Sequence, residues 1–487
     1  MPGYFKYLFF LPFLISCKKD IGYVNKGDYP HDIGRIISTN CSVTGCHNAK
    51  SSEAAAGYNL ENWAGMFSGS NNGSPVIPYS SKFSSLCYYI NTYTELGLQN
   101  SPTMPINKKP LSFDDVKKIK DWIDSGSPDI NGNIKWADNP LRKKLYAVNQ
   151  GCDVVTVFDA QTQLPMRYIE VGNIPGTVEA PHQVRVSPDG KYWYVIFINN
   201  NVMQKYRCSD DSYVGNIPLS PYAAGTSTNP ANNALDWNTF VISKDSKRAY
   251  CVSWTSSGKV AAVDLENMKL IHFLGGQYFP HAIALDATDQ NVFVGAQTGN
   301  FIVKIDTAFS GSNQISLENG PINFNSSLDP HDIILSPNNQ LLITCQKSNE
   351  VRVFDIASGL VTNTIVTGKY PQEIVYSSLF ASYFVSCTYD STTFAGSMGL
   401  VSKINAFGYG VTNLKVGYQP HGIAVDDSKR LLYVVSRNVQ SNGPAPHHSS
   451  QCNGRNGFVS FVDLNSFTVL PKRYELSVDP YFIFTRP

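Results

Sequence analysis

The sequence is poor in charged residues. Only 16% of its 487 residues are Asp, Glu, Lys or Arg, below the roughly 25% that is typical of soluble domains. Neither sign is in excess, because 39 Lys and Arg residues face 38 Asp and Glu residues and leave a formal charge of +1. Binding to nucleic acid without regard to sequence requires a surplus of cations that neutralise phosphates. The composition therefore argues against a nucleic acid partner, and the chain has no acidic tail.

Cysteine and long apolar runs are also scarce. Ten cysteines in 487 residues are too few for a disulfide scaffold, so each cysteine has to be explained separately. The most apolar run, residues 7–15, is too short to cross a bilayer as a helix. In contrast, 27 Tyr, 26 Phe, 36 Gly and 28 Pro favour a β-rich, turn-rich, exported protein. The length predicts either several domains or one large repeat array.

The first residues have the pattern of an export signal. Lys6 precedes the apolar run, which ends in Leu14-Ile15-Ser16-Cys17. This arrangement predicts a signal peptide over residues 1–16. It resembles the lipobox of bacterial lipoproteins, which implies that Cys17 is acylated and becomes the first mature residue. The mature protein is then expected to be anchored by lipid to a bacterial membrane and to face the periplasm or the cell surface. The alternative is an ordinary signal sequence with an incidental cysteine.

A C-x4-C-H motif, formed by Cys41, Cys46 and His47, follows a short segment with helical spacing of isoleucines. Covalent attachment of c-type haem needs two thiols that add across the vinyl groups and an adjacent imidazole under the iron, which makes C-x-x-C-H diagnostic. The spacing in this chain is a longer variant. These residues alone leave two other interpretations open, a disulfide and a Cys/Cys/His metal knuckle.

Two features further along the chain bear on this choice. The segment Pro102-Thr103-Met104-Pro105 holds a methionine in a proline-bounded loop, where its thioether can approach the free axial side of an iron. Residues 112–125 predict a helix, with Ser112 as the N-cap and Gly126 just after the end.

The order of these features resembles a class I cytochrome c domain. The resemblance covers residues 17–136 and implies a small all-α domain that carries one covalent haem c. It implies that Cys41 and Cys46 form the thioether bonds, that His47 is the proximal iron ligand and that Met104 is the distal one. A His/Met pair fills both axial positions and favours electron transfer over chemistry at the iron. The chain departs from the family in the four residues between the cysteines, which leaves the haem geometry open.

Residues 143–487 form a repeat array. A phrase of the type Pro-His followed by alternating apolar residues, or a weaker copy of it, begins at Pro181, Trp237, Pro280, Pro330, Pro371, Pro420 and Pro480. Four short strands in each unit of 40 to 60 residues are typical of a β-propeller. The unit that begins at Lys144 lacks a first strand, and the last copy supplies one, so we expect the C-terminal strand to close a seven-bladed ring. Strands such as YVVSRN resemble the YVTN family of propellers, which implies the fold but little about activity.

Other residues of the array have structural interpretations. Five aspartates that follow the third strands are expected to cap turns; they are Asp159, Asp264, Asp306, Asp355 and Asp463. Three cysteines in second strands are expected to be small buried side chains; they are Cys251, Cys345 and Cys387. Of the cysteines that remain, Cys452 is the one expected to act as a ligand.

Histidines are concentrated at one position of the repeat. His182, His281, His331 and His421 occupy the head of an innermost strand, where Asn238, Gln372 and Tyr481 stand in the other copies. Because innermost strands line the central channel, these seven side chains are expected to ring one mouth of it. The long loop at residues 439–457 adds His447 and His448, which we expect on the same face.

Neutral imidazole is a good ligand for copper, zinc, iron and nickel. Copper-bearing propeller enzymes resemble this arrangement in their use of histidines on a propeller face, which implies copper or another transition metal as a second cofactor. A polar channel mouth without a ligand and a pocket for an anionic substrate are the two other interpretations.

These observations predict a multidomain, haem-binding electron-transfer lipoprotein, which includes the possibility of an extracytoplasmic oxidoreductase. Its partner is expected to be a redox protein or a small-molecule substrate. The alternative is that the propeller is a non-catalytic binding module for a partner protein or a surface polymer. Under that alternative only the haem domain is redox-active.

Overall fold

The computed structural model of the protein describes residues 27–222, 235–389, 399–441 and 443–486. The predicted signal peptide over residues 1–16 and the predicted lipidation site Cys17 lie outside the described residues. Within the described ranges, no helix combines the length and the apolar character that crossing a membrane requires.

The described residues contain four α-helices, all of them in the N-terminal part of the chain, residues 27–136. They are α1 (His31–Asn40), α2 (Trp63–Met66), α3 (Ser85–Ile90) and α4 (Phe113–Asp124). Single 3₁₀ turns occur at Ser52–Ala55, Ser81–Phe83 and Thr94–Leu96. The remainder of this segment consists of turns and irregular backbone.

Helix α4 confirms the predicted helix at residues 112–125. The Ser112 hydroxyl oxygen accepts a hydrogen bond from the Asp115 amide at 3.2 Å and so caps the helix. One face of α4 is buried, and its residues are Val116, Ile119, Trp122 and Ile123. Three isoleucines of α1 are buried in the same cluster, namely Ile33, Ile36 and Ile37. Helix α1 ends at Asn40, so the C-x4-C-H motif begins directly at its C-terminus.

The rest of the described chain forms seven four-stranded antiparallel sheets. Blade 7 contains β1 (Lys144–Asn149), β2 (Val154–Asp159), β3 (Pro165–Glu170) and the last strand, β28 (Pro480–Thr485). Blade 1 contains β4 (Pro181–Val186), β5 (Tyr192–Phe197), β6 (Val202–Arg207) and β7 (Tyr213–Pro218). Blade 2 contains β8 (Trp237–Ile242), β9 (Arg248–Ser253), β10 (Gly258–Asp264) and β11 (Lys269–Gln277). Blade 3 contains β12 (Pro280–Leu285), β13 (Asn291–Ala296), β14 (Phe301–Asp306) and β15 (Ser312–Ser316).

The last three blades in chain order follow the same plan. Blade 4 contains β16 (Pro330–Leu335), β17 (Gln340–Cys345), β18 (Glu350–Asp355) and β19 (Leu360–Val366). Blade 5 contains β20 (Pro371–Ser377), β21 (Ser382–Cys387), β22 (Leu400–Asn405) and β23 (Val411–Lys415). Blade 6 contains β24 (Pro420–Asp426), β25 (Leu431–Ser436), β26 (Asn456–Asp463) and β27 (Thr468–Val478).

The C-terminal strand closes the ring. Strand β28 pairs antiparallel with β1, with Phe484 opposite Tyr146 and Ile483 opposite Ala147, so the strand order of blade 7 is β28-β1-β2-β3. The seven-bladed propeller predicted from the repeat is therefore confirmed, including its closure by the final strand. Closure gives β1 a partner and removes an open edge that would otherwise pair with another chain.

The Pro-His phrase and its weaker copies coincide with a β-bulge at the start of the innermost strands. The pairing register shifts after Pro181, Trp237, Pro280, Pro330, Pro371 and Pro420. Because a bulge bends the strand and leaves backbone groups unpaired, side chains of the preceding blade take over. Thr239 Oγ1 donates to the carbonyl of His281, and Ser386 Oγ donates to the carbonyl of His421. The bulges therefore join neighbouring blades at the point where the histidines lie.

The turn and cysteine predictions for the array can be compared directly with the structure. Asp264 Oδ1 accepts from the amides of Glu266 and Asn267 at 2.9 and 2.8 Å, and the other four aspartates cap turns in the same way. The cysteines predicted to be buried in second strands are free and fully buried; they are Cys251, Cys345 and Cys387. Both predictions are confirmed. The prediction for Cys452 is wrong, because its sulfur is bonded to Cys152.

The N-terminal part packs against blades 6 and 7. The ring of Phe83 stacks on Tyr168 of β3 with 5.1 Å between centroids, and Lys82 forms an ion pair with Glu170. The loop between β25 and β26 of blade 6 also contacts the N-terminal part, since the Gln451 side-chain amide donates to the Lys82 carbonyl at 2.6 Å. These contacts place the segment that carries the C-x4-C-H motif against the outer part of the propeller.

The Cys152–Cys452 disulfide spans a sequence separation of 300 residues and fixes this loop to the turn after β1. A cross-link over a long stretch of chain lowers the entropy of the unfolded state. We expect the Cys152→Ala/Cys452→Ala double variant to lose about 2–4 kcal/mol in the free energy of unfolding, measured by urea denaturation. Reduction of the parent protein should produce the same loss, and Cys345→Ala is the control for removal of a buried free thiol. Equal midpoints for the parent and the double variant would contradict this role.

Candidate functional site

A cavity of about 650 Å³ lies between the N-terminal part and the propeller. Its lining includes Cys41, Cys46, His47 and Met104, the four residues selected from the sequence as haem-attaching or iron-ligating residues. Blade 7 contributes Pro165 and Tyr168, and blade 6 contributes Glu475 together with the loop that carries His447 and His448. The structure thus brings together four side chains that lie up to 63 positions apart in the sequence (104 − 41).

His47 is held with one ring nitrogen occupied. Its Nδ1 lies 3.1 Å from the carbonyl oxygen of Tyr58, and the Tyr58 ring packs edge-on against the imidazole with 5.6 Å between centroids. A bond from Nδ1–H to a carbonyl fixes the tautomer that keeps the lone pair on Nε2. Burial lowers the pKa of His47, which favours the neutral imidazole that a metal requires. His47 is therefore prepared to act as a ligand through Nε2.

The loop of the C-x4-C-H motif folds back on itself. Gly45 has a positive φ of 82°, and the His47 amide returns to the Cys41 carbonyl at 3.1 Å. Asn48 braces the loop because its side-chain amide donates to the Val43 carbonyl at 2.7 Å. A left-handed residue suits glycine, which has no Cβ to clash with the backbone. The two extra residues of the motif are thus absorbed in a compact turn, and His47 follows directly after it.

The two cysteines of the motif are free thiols, and no bond joins them. Burial raises the pKa of Cys41 to about 12, so its thiol is protonated at neutral pH. Within the described ranges, the group of three His, Cys, Asp or Glu side chains that approach one another closely enough to hold an ion does not include Cys41, Cys46 or His47. Among the described residues, the motif thus shows no disulfide between its two cysteines.

Met104 faces the same cavity from a different segment. Its backbone amide donates to the carbonyl of Tyr89 at 2.7 Å, and its side chain packs against the apolar cluster of the N-terminal part. Cys41 packs against the same cluster. The position of Met104 is thus determined by backbone bonding to Tyr89 within α3, while its side chain lines the cavity.

His447 and His448 lie in this cavity as well. His447 Nδ1 is 3.0 Å from the Tyr89 hydroxyl, and Nε2 is 3.2 Å from the side-chain nitrogen of Asn72. His448 Nε2 lies 3.5 Å from a carboxylate oxygen of Glu475. The sequence analysis expected these two histidines beside the other four at the channel, and the structure separates them. The contacts that hold His447 come from residues 358 and 375 positions away, for which the sequence carries no local signal.

A second cavity, of about 390 Å³, occupies the central channel of the propeller. All seven residues predicted to ring the channel mouth line it, namely His182, Asn238, His281, His331, Gln372, His421 and Tyr481. Five of their rings form a closed circle of contacts. The centroid distances, taken in order from His182 through His281, His331, His421 and Tyr481 back to His182, are 6.0, 4.1, 5.7, 3.8 and 4.2 Å.

Burial favours the neutral form of the four channel histidines. Burial lowers the pKa of His281 to about 4, and it lowers the pKa of His182, His331 and His421 well below the usual value. The guanidinium of Arg437 also disfavours a second positive charge there, and it is itself held by both carboxylate oxygens of Asp479 at 2.6 and 2.8 Å. Neutral imidazoles offer lone pairs, so the channel is equipped for ligation or hydrogen bonding.

The sequence analysis missed Glu373, which lies beside these rings. Its Oε1 is 3.8 Å from His331 Nε2 and 4.0 Å from His421 Nδ1. Burial and the neighbouring carboxylate of Asp332 raise the pKa of Glu373 well above its usual value. A signal was present, since Glu373 directly follows the ring position of the fifth copy, where the other copies have neutral residues or Asp332.

Comparison with known proteins supplies the fold but no family. No family model matches the chain, and no curated protein matches it. Hydrazine synthase of Kuenenia stuttgartiensis superposes with a TM-score of 0.49 at 17% identity, over 64% of this chain and 93% of the other. A protein of unknown function from Desulfotomaculum acetoxidans DSM 771 superposes with a TM-score of 0.50 at 12% identity, over 69% of this chain and 99% of the other. At 12% identity, the likeness to the second protein concerns the fold alone.

Proposed function

We propose that this chain is an electron-transfer protein that binds one c-type haem in the cavity between residues 27–136 and the propeller. In this proposal the N-terminal part is a cytochrome c-like domain. The observation that carries it is the convergence of Cys41, Cys46, His47 and Met104 on one cavity of about 650 Å³. That volume lies within the roughly 300–1,000 Å³ range of sites for small molecules and cofactors.

The side chains present fit such a group. Cys41 and Cys46 supply two free thiols, and His47, directly after Cys46, supplies an imidazole whose Nδ1 is occupied and whose Nε2 is open. Thiols are what covalent attachment requires, and an open imidazole nitrogen is what axial ligation requires. Apolar side chains complete much of the wall, among them Leu86, Ile90 and Leu111. A low-polarity wall excludes water and supports the tuning of a reduction potential.

A haem bound in this way would exchange single electrons, because a His/Met pair leaves no axial position for a substrate. Residues around the cavity would position the iron ligands. The Tyr58 carbonyl orients His47, and the Tyr89 carbonyl holds the backbone of Met104. The loop with His447 and His448 covers the cavity from the propeller side and is fixed there by Tyr89, Asn72 and Glu475.

The proposal is tested by the spectrum of the full chain expressed together with haem-attachment machinery. A pyridine haemochrome assay should give one haem per chain, and the haem should stay with the polypeptide under denaturing conditions. A preparation without haem would overturn the proposal. In the Met104→Ala variant the haem should remain attached, while the sulfur–iron absorption band disappears and the midpoint potential falls. The control Met268→Ala, in the turn before β11, should leave both unchanged; an unaltered band in Met104→Ala would refute the distal assignment.

A further inference from the structure

Three buried side chains from consecutive blades meet inside the propeller channel. His331 comes from β16 of blade 4, Glu373 from β20 of blade 5 and His421 from β24 of blade 6. Their exposed fractions are 3%, 4% and 2%. One potential ligand atom from each residue lies within 4.8 Å of the other two. We propose that this triad binds one divalent transition-metal ion.

The spacing of the triad is close to what an ion requires. Ligand atoms that share one ion at 2.0–2.2 Å lie on the order of 3–4 Å apart in tetrahedral geometry. The Glu373 Oε1 atom is 3.8 Å from His331 Nε2 and 4.0 Å from His421 Nδ1. Because His421 Nδ1 carries the proton that it donates to the Tyr481 carbonyl at 3.0 Å, His421 would coordinate through its other nitrogen, Nε2, and its ring must bring that atom toward Glu373 when an ion binds.

An unpartnered atom points into the site. His331 Nε2 is buried and has no hydrogen-bond partner among the described residues. A buried polar atom without a partner is costly, and in native proteins it requires an explanation such as a missing ion. The other nitrogen, Nδ1, lies 3.5 Å from the side-chain amide of Gln297. The atom that faces Nδ1 is the Gln297 amide nitrogen, so coordination through Nε2 requires this amide to rotate by 180°, which places its oxygen as the acceptor of an Nδ1–H.

Outer residues hold the other two members in place. The His421 Nδ1 atom is 3.0 Å from the Tyr481 carbonyl, which fixes the ring. Behind Glu373, the Asp332 carboxylate accepts hydrogen bonds from the amides of Ile333 at 2.9 Å and Ile374 at 3.1 Å. An imidazole oriented by a backbone carbonyl is typical of the outer shell of metal sites.

The ligand types indicate which ions fit. Two imidazoles and one carboxylate favour zinc or ferrous iron over magnesium or calcium, which prefer oxygen alone. Three protein ligands leave coordination positions open, and the channel cavity of about 390 Å³ borders all of the histidines involved. The site therefore has room for water or a small ligand on its open side. This site does not depend on the haem proposal, since the two cavities have different linings.

The test uses the purified full chain and Zn(II) as the probe, so that haem iron, measured separately as haemochrome, does not interfere. After treatment with a chelator and addition of Zn(II), elemental analysis should give one zinc per chain. Glu373→Gln, which keeps the shape of the side chain, and His421→Gln should weaken zinc binding by at least about 10-fold, as even outer-shell changes do. His182→Gln is the matched control, because His182 belongs to the same circle of rings but lies outside the triad.

Several results would overturn the assignment. They are a parent protein that retains no zinc, a Glu373→Gln variant that binds zinc as the parent does, and an equal loss of binding in His182→Gln. Thermal unfolding monitored by circular dichroism shows that each variant is folded. Because Glu373→Gln keeps the size and shape of the side chain, the zinc-free variant should unfold at the temperature of the zinc-free parent. Haem content should be the same in all of these variants.

Discussion

A chain in which alanine replaces both Cys41 and Cys46 is expected to contain no covalently bound haem, against one haem per chain in the parent. Each thioether bond forms when a thiol adds across a vinyl group, so the attachment needs these two sulfurs. Among the described residues that line the cavity, Cys41 and Cys46 are the cysteines present. The buried thiol of Cys87 lies in α3 but does not line the cavity, so it offers no substitute. The measurement is haem staining after denaturing electrophoresis, together with the pyridine haemochrome.

The controls separate attachment from folding. Cys87→Ala removes a buried thiol of the same apolar cluster and should keep its haem. Each single variant, Cys41→Ala or Cys46→Ala, should keep one thioether bond, and its haemochrome band should shift to the red because one vinyl group remains conjugated. A double variant that still carries haem after denaturation would contradict the assignment of both cysteines.

The residues of the proposed haem site could be selected from the sequence because each lies in a local pattern. Cys41, Cys46 and His47 form a short motif, Met104 lies between prolines, and α4 has a capped and amphipathic sequence. Such patterns reflect short-range chemistry, which a sequence records directly. The ring of seven side chains in the channel was predictable for a related reason, since the repeat places equivalent residues at equivalent positions.

What the sequence did not predict depends on contacts between distant segments. The loop at residues 437–455 has no repeat to define its position, and its path is fixed by the disulfide to Cys152 and by contacts with the N-terminal part. His447 and His448 therefore line the cavity between the N-terminal part and the propeller and do not line the channel. Glu373 was not predicted as a site residue because its short distances to His331 and His421 arise only when three different blades come together.

Two segments of the chain contribute residues to both cavities. The chain from Arg437 to Asn456 lines the channel with its first residue and the other cavity with His447 and His448. In the chain from Glu475 to Tyr481, Glu475 lines the cavity beside the N-terminal part and Tyr481 lines the channel. The Arg437–Asp479 ion pair joins the two segments. Strand β28 begins within this region, so its loss should disturb both cavities at once.

Removal of residues 480–487 is accordingly expected to have the largest effect on stability. Strand β28 buries Tyr481, Phe482 and Ile483, which are 8%, 6% and 1% exposed. Loss of three such side chains costs roughly 5–9 kcal/mol at about 1.5–3 kcal/mol each. That amount is comparable with the roughly 5–15 kcal/mol that stabilises a typical domain. The truncation also leaves the edge of β1 unpaired and removes Arg486, whose guanidinium donates to the Gly190 carbonyl at 2.9 Å.

We therefore expect the truncated chain to aggregate or to unfold without a cooperative transition, as measured by size-exclusion chromatography and by denaturation followed with circular dichroism. Thr485→Ala is the matched control, because it keeps the strand and its pairing with Leu145, and it should remain folded and elute as the parent does. A synthetic peptide that covers residues 479–487 should partly restore the truncated chain, since the missing strand is supplied by a separate molecule. A truncated chain that elutes as the parent does and keeps its denaturation midpoint would show that closure by β28 does not stabilise the ring.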